Sequence, residues 1–220
     1  MKIKELTLYT NNFLAVKDFY GNVLNFALKS ESDNFVEFQI QETVLRFKED
    51  KTINPHYHFA FNIPSNKIEE AKEWMNGKAE LLPIEDNNYI ADFVNWNAKS
   101  IYFNDPVGNI VEFIARFDLQ NDVVEKFDSL QILSVSEMGI VTNDVTAFTD
   151  NLKNEYKVFD FVKSVNSDSF SAIGDDNGLF IVAVENRNWY PTKVPSQKSP
   201  FEIKFINDAE ETFIVTDKTM

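Results

Sequence analysis

The polar and apolar positions of this chain trace one pattern and then begin it again. Ile3-Lys4-Glu5-Leu6-Thr7-Leu8-Tyr9 alternates with the two-residue period of a half-buried strand. Thr10-Asn11-Asn12 supplies helix N-cap candidates, and Val16, Phe19, Tyr20 and Val23 follow on one helical face. Strand-like runs at 25–30, 34–40 and 43–48 complete a β-α-β-β-β unit within residues 1–50.

The pattern restarts at His56. Tyr57–Ile63 predicts a strand, Pro64-Ser65-Asn66 a helix start, and Ile68, Ala71 and Met75 the helix face, with Gly77 as its left-handed cap. Strand candidates follow at 80–83, 89–96, 100–104 and 109–115, the last two joined by a turn that Pro106 and Gly108 shape. Residues 117–131 read as a linker. A third start aligns Glu137-Met138-Gly139-Ile140 with Glu5-Leu6-Thr7-Leu8, and Ala147 and Asp150 then fall on Ala15 and Asp18. Strand-like runs at 157–164, 169–173 and 179–184 continue this unit, and a fourth copy near Phe201 runs out of chain. A period of about 55–65 residues is too long for helical repeats of the ankyrin type. The expected class is α+β: repeated β-α-β-β-β modules forming curved mixed sheets around a pocket, the last module truncated. The expected organisation is a two-module domain at 1–116, a linker at 117–131 and an incomplete second domain at 132–220.

Composition narrows the functions. With 21 Lys+Arg against 35 Asp+Glu, the net charge of −14 argues against nucleic-acid binding. No apolar run approaches the roughly 18 residues of a membrane span, and the first residues lack a signal-peptide core, so a cytoplasmic protein is expected. The absence of cysteine excludes thiolate metal sites and thiol nucleophiles. Imidazole chemistry can come only from His56 and His58.

Three segments carry a resemblance to the vicinal oxygen chelate superfamily of glyoxalases, extradiol dioxygenases and bleomycin resistance proteins. They are the opening strand and helix ending in Asp18-Phe19-Tyr20, the segment His58-Phe59-Ala60-Phe61-Asn62-Ile63, and Asn104-Asp105-Pro106-Val107-Gly108-Asn109-Ile110-Val111-Glu112-Phe113. The last is similar to that family's Asp-Pro-x-Gly-Asn turn before a strand with an inward Glu. The resemblance implies two modules around a pocket with up to four metal ligands, falling here on Glu5, Arg46, His58 and Glu112. Arg46 cannot ligate a metal. Glu5, His58 and Glu112 then remain as a three-ligand set like that of the ring-cleaving dioxygenases. Alternation agrees with a polar inner face: Glu5 and Thr7 oppose Leu6 and Leu8, and His58 and Ala60 oppose Phe59 and Phe61.

Two function classes follow. One is an enzyme of lyase or dioxygenase type on a small oxygen-bearing molecule, with His58 or Glu5 transferring protons and one divalent ion (Fe, Mn, Ni, Zn or Mg) as cofactor. The other is a metal-free protein that sequesters a small molecule, and the charge on Arg46 favours this reading. Arg46, Trp96 and Tyr102 are the expected substrate-binding residues. His56, at the frayed start of its strand, is not expected to be a ligand. Glu137 occupies the Glu5-equivalent position, but the strand 179–184 has no acid and no His follows residue 58, so no metal site is expected in the second half. The loop 186–192 brings Arg187, Trp189 and Tyr190 either to a pocket mouth or into a packed loop. The expected partner is a small molecule, with no nucleic acid and no membrane, and a homodimer would cover the edge left by the truncated module.

Overall fold

The computed structural model describes residues 1–218. Unit one is β1 (Lys2–Thr10), α1 (Phe13–Asp18), β2 (Ala27–Glu31), β3 (Phe35–Ile40) and β4 (Thr43–Glu49). Unit two is β5 (His58–Ile63), α2 (Ile68–Trp74), β6 (Ala91–Phe93), β7 (Ala98–Asn104) and β8 (Ile110–Arg116). Unit three is β9 (Ser134–Thr142), α3 (Val145–Tyr156), β10 (Phe170–Asp175) and β11 (Gly178–Val184). The chain ends in the hairpin β12 (Phe201–Ile206) and β13 (Thr212–Thr216).

The repeat extends to helix capping. The Asn12 side chain accepts from the Ala15 N–H, and Asp144 accepts from the Ala147 N–H at the matching place in unit three. Gly77 takes the left-handed conformation after α2. Unit three lacks one strand: 157–164 forms turns, with one bridge between Asp160 and Ile173.

How the units pair positions the site. The strands form a six-stranded sheet, β13-β12-β1-β4-β3-β2, and a seven-stranded sheet, β10-β11-β9-β5-β8-β7-β6. Unit one therefore shares a sheet with the C-terminal hairpin, and unit two with unit three. This corrects the expected grouping of units one and two around one pocket. β1 pairs antiparallel with β12, and β5 antiparallel with β9. Both junctions carry a register shift, between Ile3 and Glu5 on β1 and between Ala60 and Phe61 on β5.

The inward and outward faces follow the alternation. Leu6, Leu8, Phe59, Phe61, Val111 and Phe113 are fully buried in one apolar cluster that also takes in Phe180 and Phe205. Burying each such ring removes roughly 150–250 Å² from water, so this cluster locks both sheets to one core. The Tyr20 hydroxyl donates to Asp105 at 2.9 Å, and the Asn109 amide donates to the same carboxylate, tying the segment just after α1 to the Asp-Pro turn. Among the described residues no helix is long and apolar enough to cross a membrane.

Candidate functional site

Strand register defines four equivalent places. In β1 and β4, Thr7 stands opposite Arg46; in β5 and β8, Ala60 stands opposite Glu112; in β9 and β11, Gly139 stands opposite Ile181. Two residues earlier on each first strand come Glu5, His58 and Glu137. On the seven-stranded sheet these places hold His58, Glu112, Glu137 and Ile181, which line one cavity of about 330 Å³ with Phe93, Trp96, Tyr102, Phe170, Arg187, Trp189 and Tyr190.

His58, Glu112 and Glu137 are buried, and one ligand atom from each lies within 4.8 Å of the others. His58 Nδ1 lies 3.2 Å from the Ile110 carbonyl. A carbonyl can only accept, so Nδ1 carries the proton and Nε2 presents a lone pair to the cavity. Nε2 lies 3.6 Å from Glu112 Oε2. Burial lowers the His58 pKa to about 4 and keeps the ring neutral. Burial, then the neighbouring charge of Glu137, lifts Glu112 to about 8. Burial also raises Glu137, against the opposing effect of the Arg116 guanidinium. Since Arg116 bonds to Glu137, Glu112 is the carboxyl of this pair more strongly driven toward its protonated form.

Arg116 was not singled out from the sequence. It follows Glu112 by four residues on β8 and so shares its face. It is fully buried, bonds to Glu137, and reaches Asp176 at 3.4 Å. Trp96 and Phe161 rings flank its guanidinium at 5.7 and 5.9 Å. Asp176 is held in turn by Lys163. Of the two site carboxylates, one therefore has a cation and the other has none.

Trp189 is both buried and part of the cavity wall. Its ring centroid lies 5.2 Å from that of His58. A Cβ on residue 139 would lie 2.8 Å from the Trp189 ring, so the glycine on β9 makes room for it. Trp96 and Tyr102 also line the cavity, as expected for a ligand pocket.

Glu5 and Arg46 lie elsewhere, on the six-stranded sheet. Arg46 Nε donates to Glu37 at 2.7 Å, and Glu5 is 4.0 Å from Arg46 and 3.0 Å from Lys204. The register explains it: Glu202 opposite Thr7 and Arg46 opposite Thr7 occupy the places that Glu137 and Glu112 hold on the other sheet. The structure thus brings His58 and Glu112 together, separates Glu5 and Arg46 from them, and adds Glu137 from the second half. His56 packs against Gly108, away from the cavity.

The arrangement of strands matches solved structures. A putative dioxygenase from Bacillus subtilis subsp. subtilis str. 168 superposes with a TM-score of 0.60 over 98% of this chain and 84% of its own, at 12% identity. The chain shares its fold with that protein. Shorter stretches resemble a lactoylglutathione lyase from Agrobacterium tumefaciens (20% identity, 50% of this chain, 90% of that one, TM-score 0.43). They also resemble a glyoxalase/bleomycin resistance protein/dioxygenase from Nocardioides (23% identity, 53% and 83%, TM-score 0.43). No protein-family model matches the chain, and no curated protein does. The curled α+β sheets agree with the class expected from the repeat.

Proposed function

We propose that the cavity on the seven-stranded sheet holds one divalent metal ion on His58, Glu112 and Glu137 and acts on a small oxygen-bearing molecule, as a glyoxalase- or dioxygenase-type enzyme. The observation that carries this reading is the donor set itself: a neutral imidazole with its lone pair inward and two buried carboxyls, all within 4.8 Å. Imidazole and carboxylate together suit Fe, Mn, Ni, Zn or Mg. The His58 Nδ1–H bond to Ile110 is the outer hydrogen bond that orients a histidine ligand. At the fourth equivalent place stands Ile181, which offers no donor and leaves that side to substrate.

A divalent ion there would supply Lewis acidity toward the substrate's oxygens. The residues do the rest. Trp189 and Tyr102 flank His58, hold the ring in place and exclude water. Glu112 is the carboxyl that gives up its proton when the site fills, since Arg116 already neutralises Glu137. Phe93, Trp96 and Tyr190 provide an apolar wall for the body of a small molecule.

One observation supports a second reading, a metal-free binding protein. Arg116 contacts Glu137 directly and so competes with any cation for that carboxylate. Calorimetric titration of metal-depleted protein with Mn, Fe(II), Ni or Zn separates the two. One site per chain that is lost in Glu112→Gln supports the enzyme; no binding at millimolar metal supports the binder.

A further inference from the structure

We infer that the cavity takes an organic anion, a small aromatic carboxylate, with its carboxylate on Arg187 and its oxygen-bearing end toward His58 and Glu112. This deepens the reading of the same site as a small-molecule site and rests on it.

Arg187 is the argument. The chain has three arginines. Arg46 pairs with Glu37, and Arg116 with Glu137 and Asp176. Arg187 has no carboxylate partner among the described residues. Among the described residues its one polar contact is Nη1–H donating to the carbonyl of the adjacent Asn188, at 3.4 Å. The guanidinium lies over the Phe170 ring, 4.6 Å from its centroid, and both residues line the cavity. In a chain of net charge −14, partners for a surface cation are abundant. A guanidinium left without one, half-buried and stacked on an aromatic ring, keeps its donor edge available for a bidentate carboxylate.

The segment carrying it is ordered by its own backbone bonds. Ser196 N donates to Arg187 O at 2.7 Å, Asn186 N to Ser196 O at 2.9 Å, and Trp189 N to Val194 O at 2.9 Å. Arg187 therefore reaches the cavity from the same two-stranded loop that places Trp189 on His58. The same cavity is lined by the aromatic rings of Phe93, Trp96, Phe170 and Tyr190. Arg187 is the one cation among the residues that line the cavity, since Arg116 behind it is committed to Glu137 and Asp176. The cavity thus combines an anion-accepting group, a cluster that accepts an oxygen or a metal, and aromatic walls. A planar ring with a carboxylate at one edge and oxygens at the other matches all three.

The test uses four probes: 3,4-dihydroxybenzoate and its neutral amide, and benzoate with benzamide, which lack the ring oxygens. Binding is read by quenching of the tryptophans and by calorimetry, in wild type, Arg187→Gln and Arg187→Lys, with melting curves to show that the variants fold. Wild type should favour each acid over its amide by about tenfold or more, an effect weakened by 0.5 M salt. Arg187→Gln should lose that preference while keeping its affinity for the amides, and Arg187→Lys should retain part of it. Equal affinity of wild type for acid and amide, failure to bind either acid at millimolar concentration, or a preference that survives Arg187→Gln would overturn the assignment. The benzoate–benzamide pair, measured in chelator, tests Arg187 without metal. A preference there with no metal binding anywhere would leave this inference standing and remove the metal-dependent reading.

Discussion

His58 turns its bare Nε2 toward Glu112 Oε2 at 3.6 Å because its other nitrogen donates to Ile110. A lone pair facing an ionised carboxylate at that distance in a buried site is repulsive. Either a proton on Glu112 or a cation between the two relieves it. The site's response to pH and to metal follows from that competition.

Metal affinity should therefore rise with pH up to about 8, where Glu112 loses its proton. Between pH 6 and 8 the affinity should climb about tenfold per pH unit, since one proton leaves for each ion bound. Calorimetry in two buffers of different ionisation enthalpy counts that proton. An affinity flat across this range would show that Glu112 is not displaced.

Stability of the metal-free protein should respond in the opposite direction. The folded-state pKa of Glu112 is raised, so the unfolded chain releases this proton first and stability falls as pH rises from about 4.5 to about 8. His58, lowered to about 4, contributes a gain between about 4 and 6.5 that offsets the lower part of this range. The net loss then lies between about 6.5 and 8. Glu112→Gln should remove it and stabilise the metal-free protein at pH 8 by on the order of 2–4 kcal/mol. Chemical denaturation at pH 6 and 8 measures the difference.

Gly139→Ala should displace the Trp189 ring, because the new Cβ would sit 2.8 Å from it and 3.0 Å from the His58 carbonyl. A cost of about 1–3 kcal/mol is expected from overpacking. Small-molecule affinity should fall about tenfold with metal stoichiometry unchanged. Tryptophan emission and metal content together check this. Unchanged emission and affinity would mean that Trp189 does not shape the cavity.

The repeat was legible because it writes itself in alternating strands and in caps such as Asn12 and Asp144, local features that need no knowledge of the partner strand. His58 and Glu112 were legible for the same reason, with the Asp105-Pro106 turn fixing the phase of β8. The pairing of units was not. Which first strand lies beside β5 is decided by long-range packing, so the sequence points to Glu5 beside His58 and Glu112, whereas Glu137, its aligned counterpart, lies there. Arg116 left a signal in its spacing from Glu112. It went unread because Arg46 already filled the place of the deciding cation.

Arg46→Glu is the substitution that separates the two sheets. Arg46 holds Glu37, which is nearly buried, so the change leaves that carboxylate beside a like charge and should cost about 2 kcal/mol. Metal binding at His58, Glu112 and Glu137 should not change. A gain or loss of metal affinity at that site would place Arg46 near it and contradict the strand order.

The most direct measurement is the metal content of natively purified protein, by elemental analysis, in wild type, His58→Ala, Glu137→Gln and Glu5→Gln, each shown to fold by its melting curve. The account predicts one first-row divalent ion or Mg per chain in wild type and in Glu5→Gln, and its loss in His58→Ala and Glu137→Gln. Metal-free wild type that stays empty when titrated at pH 8, or metal retained by His58→Ala and lost from Glu5→Gln, would contradict it.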